Sequence, residues 1–139
     1  MTVRKVLRHA YLHTTYRVVT TPEPVDIRIG QRNSSLDRLL QTNSVQQWTF
    51  MTASNPRSQP HSDDDNARRN KALKQSLDEA GWHYLVGMGL PDRCGWQPEH
   101  SVLILGMGKS AAIALARRWG QNAIVCGSFG GAPELVWVD

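Results

Sequence analysis

Along Val25-Asp26-Ile27-Arg28-Ile29 apolar and polar residues alternate strictly, the pattern of a strand with one buried face. Further on the period lengthens. Asn66, Arg69, Asn70, Leu73 and Leu77 recur at spacings of three and four, which predicts one face of a helix over residues 63–80. Ser62 is its expected cap, Asp63-Asp64-Asp65 give an acidic first turn suited to the positive helix end, and Gly81 stands where a left-handed C-cap is wanted. A second helix is expected from Ser110, with Ala112, Leu115, Ala116 and Trp119 at core spacing and Gly120 as its stop. Apolar runs predict strands at residues 48–53, 82–88, 102–105, 123–126 and 135–138.

Before residue 48 the pattern is shorter in range. It predicts a short element over residues 6–12, a strand over 15–19, a break at Pro22 and Pro24, and the strand over 25–29. Ser34 is the expected cap of a short helix carrying Leu36, Leu39 and Leu40, with Asn43 at its end. From Trp48 onward the order is strand, helix, strand, strand, helix, strand, with an extra terminal strand. That is the order of an α+β fold with a ferredoxin-like split βαβ core, an antiparallel sheet with two helices on one face. The expectation is therefore a single domain over residues 1–139: an N-terminal extension, 1–45, packs on a ferredoxin-like core, 46–139. The other sheet face needs cover from that extension or from a second subunit, with Trp48, Phe50 and Trp137 among the covered side chains.

The pattern breaks at one place. The strand that begins at Trp48 runs into Ser54 and Asn55 before Pro56 stops it, and the helix stripe that ends in core leucines begins with Asn66, Arg69 and Asn70. A face that should be apolar is polar at one end, as at a ligand site beside the carboxyl end of a strand. The candidate binding residues are Ser54, Asn55, Asn66 and Arg69, joined by Trp96, whose ring can stack on a planar ligand. Glu99 is the candidate catalytic residue: Pro98 restricts the backbone beside it, and a held carboxylate can accept hydroxyls or amines, stabilise a cation or act as a base. Each has a structural counterpart reading, in which Asn66 and Arg69 tie down the loop over 56–62 and Glu99 caps or pairs locally.

Other motifs carry less. Gly106-Met107-Gly108-Lys109-Ser110 lacks the first glycine of a Walker A loop, since Leu103 stands there in a strand. Gln121 and Asn122 sit at a helix-to-strand junction, where side-chain amides bind turn backbone. His9 and His13 lack a third ligand, Cys94 and Cys126 lack CxxC spacing, and Ser54 has no triad pattern, so no metal, cofactor or serine-hydrolase chemistry is called for. At 139 residues and 40% apolar the chain can build a real core. No apolar run is long enough to span a bilayer and the start lacks a secretory signal, so a cytoplasmic protein is expected. The net charge of +4 is uneven: residues 1–40 hold seven Lys or Arg against three acids, the remainder nine of each. A basic arm can bind nucleic acid, although these cations form no dense run.

Trp48-Thr-Phe-Met-Thr-Ala-Ser-Asn-Pro, Asn66-Ala-Arg-Arg69, Trp96-Gln-Pro-Glu-His-Ser101, Gly120-Gln-Asn-Ala-Ile-Val125 and Glu134-Leu-Val136 together resemble the bacterial domain-of-unknown-function family 3293, over roughly residues 11–139. That resemblance implies no activity. The chain is also similar to the bacteriophage S-adenosylmethionine lyases in the order of Thr52 to Ser54, Asn66 with Arg69, Cys94 to Trp96, and Glu99. Those enzymes are trimers of a ferredoxin-like unit, bind the sulfonium substrate between subunits and release methylthioadenosine with homoserine lactone. This chain departs from them in Asn55-Pro56, in Cys-Gly-Trp rather than Gly-Cys-Tyr, and in its N-terminal addition. The similarity implies a site for an adenosyl or nucleotide-type metabolite in an oligomeric protein, with a lyase reaction among the activities open to it. A nucleic-acid-binding module and a non-catalytic structural or interaction domain are the alternatives, so enzyme status stays open from sequence.

Overall fold

The computed structural model describes residues 2–93 and 97–138. Helix α1 (Val3–Leu12) leads into strands β1 (Thr14–Val18) and β2 (Val25–Ile27), helix α2 (Ser34–Thr42) and strand β3 (Gln47–Met51). A 3-10 turn (Pro56–Ser58) precedes helix α3 (Asp63–Ala80), strands β4 (Tyr84–Pro91) and β5 (Glu99–Leu105), helix α4 (Lys109–Arg118) and strands β6 (Ala123–Ser128) and β7 (Glu134–Trp137). The strands form one sheet in the order β2-β1-β4-β5-β3-β6-β7, with every neighbouring pair antiparallel, and the fold is α+β.

The sheet curls until its two edges meet: the Gly30 N–H, just beyond β2, donates to the Pro133 carbonyl, just before β7, at 2.8 Å. Strand alternation then sorts the core into two clusters. Inside the curl Trp48 and Phe50 meet Tyr16, Val18, Leu103, Leu105 and Val125, and α2 adds Leu36 and Leu40. On the other face Met51, Val102, Ile104 and Ile124 lie beneath Leu73 and Leu77 of α3 and Ala112 and Ala116 of α4. So α2, from the N-terminal segment, covers the sheet face opposite α3 and α4. It plugs one end of the curl. At the other end lies α1, none of whose residues is buried.

Helix α3 has the expected limits because its ends are chemically marked: the Ser62 side chain accepts the Asp65 N–H, and Gly81 takes a left-handed φ of 82°. Several other boundaries shift. Asn33, not Ser34, caps α2 by accepting the Leu36 N–H at 3.0 Å. Trp82 lies outside β4 because its N–H closes the end of α3 on Leu77 O. β4 continues through Gly87 and Gly89 to Pro91 because β1 pairs along its other side. Gly87 answers a packing need: a Cβ there would lie 2.7 Å from Phe50 Cε2 and 2.8 Å from the Arg17 carbonyl oxygen.

The plug formed by α2 yields a direct expectation. Leu40 is fully buried in the inner cluster. Leu40→Ala is expected to lower stability by about 2–5 kcal/mol, measured as the difference in urea unfolding free energy from the parent protein.

Candidate functional site

Apart from the 3-10 turn at Pro56–Ser58, the backbone between β3 and α3 makes no regular structure, so its polar groups need side-chain partners. Asn55, Arg57 and Ser58 have φ of 47°, 57° and 60°, in the left-handed region that non-glycine residues rarely occupy. The polar start of α3 supplies the partners. Asn70 Oδ1 accepts the Ala53 N–H at 2.9 Å and its Nδ2 donates to Ser54 Oγ at 2.8 Å. Asn66 Oδ1 accepts the Asn55 N–H, while Asn66 Nδ2 donates to Asn55 Oδ1, both at 2.9 Å. Arg69 donates from Nε to Ala53 O and from Nη2 to Trp119 O, each at 2.6 Å. Gln121 Nε2 adds a bond to Ser54 O at 3.1 Å, and Gly120 lets Pro56 approach where a Cβ would come within 2.9 Å.

This clamp ends on an acid. Asn55 Oδ1 also accepts the His61 N–H, so the Asn55 side chain is fixed in orientation, and its Nδ2 donates to Glu99 Oε2 at 2.7 Å. β5 points Glu99, Ser101, Leu103 and Leu105 successively to the inside of the curl, which places the carboxylate at the open end of the inner face. There a cleft of about 1610 Å³ lies between α1 and the sheet; Tyr11, Tyr16, Phe50, Ser58, Gly89 and Glu99 are among its walls. Burial raises the Glu99 carboxyl above its ordinary range, with the Asn55 amide offsetting part of the rise. Burial, and then the Glu99 charge, push the Tyr11 phenol up to about 12, so at neutral pH it keeps its proton and remains a donor. The Tyr16 phenol is raised too, and its hydroxyl donates to Tyr11 O at 2.8 Å, tying β1 to the end of α1.

Of the residues singled out from sequence, Ser54, Asn55, Asn66 and Glu99 come together on the cleft wall. Arg69 does not line it; its guanidinium is turned to the two carbonyls just described. Trp96 and Cys94 lie outside the described residues. Sequence reasoning passed over Tyr11, Tyr16 and Ser58, which reach the cleft from separate elements, while Gln121, read as a turn residue, does bind turn backbone at Ser54 O and also lines the cleft. Their nearness to Glu99 depends on strand pairing that no local pattern announces. Among the described residues no group of three His, Cys, Asp or Glu is placed to hold a metal ion, and no helix is long and apolar enough to cross a membrane.

The site thus defines an α+β protein with a polar clamp and a half-buried carboxylate at the mouth of a curled sheet. The family model described as a protein of unknown function (DUF3293) matches residues 51–124, more than half the chain, and the chain belongs to that family. The matched segment holds the whole clamp and Glu99, whereas Tyr11 and Tyr16 fall before it. No curated protein and no solved structure matches the chain.

Two outcomes follow from this geometry. Arg69→Met strands the Ala53 carbonyl and is expected to cost on the order of 1–3 kcal/mol in chemical denaturation. For Glu99 the folded carboxyl holds its proton at pH values where the unfolded chain has released it. Stability therefore falls as pH rises from the ordinary value of 4.5 toward the raised folded value. Gln carries no such titration, so Glu99→Gln should gain stability relative to the parent as pH climbs through that window. Urea unfolding in a series of buffers from about pH 4 to about pH 8 measures it.

Proposed function

We propose that the mouth of the curled sheet binds a small organic metabolite of the adenosyl or nucleotide type. A flat apolar part would lie on the aromatic wall and a polar part on Glu99. One observation carries this reading: a carboxylate withdrawn from water at the cleft wall, oriented by a neutral amide and, among the described residues, paired with no cation. Burying a charge in that way opposes folding, and a ligand that completes its pairing offsets the cost. The left-handed backbone at Asn55, Arg57 and Ser58 adds support, since strain of this kind concentrates at binding sites. The mouth of a closed or nearly closed sheet is also a common place for small-molecule sites.

In this reading Asn55 orients Glu99, and Asn66, Arg69 and Asn70 hold the loop that carries Asn55. Arg69 is a positioning residue. We read β3-α3-β4-β5-α4-β6, with the spatial order β4-β5-β3-β6, as a ferredoxin-like split βαβ unit, to which β1, β2 and β7 add strands. The resemblance to the phage lyases read from the order of the sequence motifs makes cleavage of an adenosyl substrate the first reaction to assay, with Glu99 against the reacting centre. The nucleic-acid reading has less beneath it. Of the cations in the first forty residues, Arg17 pairs with Asp26 and Arg28 with Asp92, which reduces the charge available to phosphates.

A thermal-shift and calorimetric panel of S-adenosylmethionine, methylthioadenosine and nucleotides tests the reading. A member present at about a hundred times its dissociation constant should add about 2.7 kcal/mol of stability. Gly89→Val is the blocking control. A Cβ at Gly89 meets nothing closer than 3.9 Å, so the fold tolerates it while the added methyls narrow the cleft. Both Gly89→Val and Glu99→Gln should remain folded and lose the shift; a parent protein that shifts with no member of the panel sinks the proposal.

A further inference from the structure

Among the described residues, the acids that form ion pairs do so where the pair matters least. Asp26 pairs with Arg17, Asp92 with Arg28, Asp65 with Arg68 and Glu134 with Lys109, all at the surface. Glu99 has lost far more of its hydration, and its side-chain partner among the described residues is the neutral Asn55 amide. The clamp contains a guanidinium, that of Arg69, but it is spent on Ala53 O and Trp119 O and does not line the cleft. Lys5 and Arg8 of α1 and Arg93 after β4 also line the cleft, all three from exposed positions where water screens their charge, and none forms an ion pair with Glu99. The segment 94–96 before β5 carries no cationic residue at all.

The walls beside the carboxylate are aromatic. Tyr11, Tyr16 and Phe50 all line the cleft, Tyr16 and Phe50 packing edge to face at 5.4 Å between ring centroids. The Tyr16 hydroxyl is committed to Tyr11 O, and Tyr16 and Phe50 are packed in the inner cluster, so Tyr11 is the more accessible ring on this wall. Ring faces and a desolvated carboxylate attract the same kind of group. A negative ligand group would be repelled by Glu99, and a neutral one would leave its charge without a counter-ion.

Resting on the ligand-site reading above, we infer that the group seated at Glu99 is an organic cation, a quaternary ammonium, a sulfonium or a protonated amine, held between the carboxylate and the tyrosine rings. The carboxylate supplies the counter-charge and the rings supply the cation–π surface. Asn55 sets the angle of the carboxylate and leaves its remaining lone pairs toward the cleft. Gly89, opposite Glu99 on β4, keeps the space for the head group open.

Choline and its neutral carbon isostere 3,3-dimethyl-1-butanol separate charge from shape. Each is titrated into the full-length protein and followed by NMR at the Asn55 side-chain amide. The expected result is that choline binds at least about tenfold more tightly than the alcohol, that Glu99→Gln abolishes this preference while still folding, and that Gly89→Val weakens both ligands. Equal binding of the two probes, or an unchanged preference in Glu99→Gln, overturns the cation assignment. Failure of both probes while a neutral nucleoside still binds also overturns it and leaves the ligand site standing. Failure of the probes together with the whole metabolite panel removes both.

Discussion

The hydrogen-bonded clamp between the start of α3 and the chain leaving β3 is the constraint on which the site depends. Without it, residues 53–58 would hold a series of unpaired backbone groups and three left-handed non-glycine residues against the body of the protein. A neutral hydrogen bond adds only about 1 kcal/mol net, but a buried group left without a partner costs about 1–3 kcal/mol. The clamp therefore acts mainly by leaving no alternative. Asn66, Arg69 and Asn70 satisfy both carbonyls and N–H groups of the strand end, and the Asn55 side chain is left in one orientation. That orientation aims an amide N–H at Glu99, a residue 44 positions away.

The curl of the sheet makes this local device into a cavity. Its inner face is closed at one end by Leu36 and Leu40 of α2, which reach the core, and lies open at the other beneath α1, whose Leu7, Ala10, Tyr11 and Leu12 are only half-buried. The two helices are similar in length and both amphipathic, yet they hold on to the sheet very differently. α1 is secured through Thr14 Oγ1 on Ala10 O, Tyr16 on Tyr11 O and the edge contact of Tyr11 with Trp137. A core-filling helix at the closed end and a lightly held one at the mouth place rigidity and access at opposite ends of one structure.

Glu99 shows how the two features combine. In a shallow position it would be an ordinary hydrated acid at a strand entry. Inside the curl it loses water and gains a neutral donor, its carboxyl is raised above the ordinary range, and its charge adds to the burial that raises the Tyr11 phenol.

Much of the framework was legible from the chain. Ser62, the acidic turn and Gly81 marked α3 because caps and dipole effects act within a few residues, and the polar start of its stripe located the clamp because Asn66, Arg69 and Asn70 stand where leucines would continue the core face. β4 was harder to delimit, since Gly87 and Gly89 read locally as breaks and only their neighbours, the Phe50 ring and the paired backbone of β1, give them a place in a strand. The roles within the cluster were not legible either. Spacing put Asn66 and Arg69 on one helical face, but the position of Glu99 beside Asn55, the turn of Arg69 away from the cleft, and the approach of Tyr11 from α1 all come from antiparallel pairing and closure of the sheet. Periodicity and capping are short-range consequences of backbone geometry, so sequence alone determined the elements and the polar end of α3. Which distant side chains share one cleft depends on register and curl, and only the tertiary structure decided that.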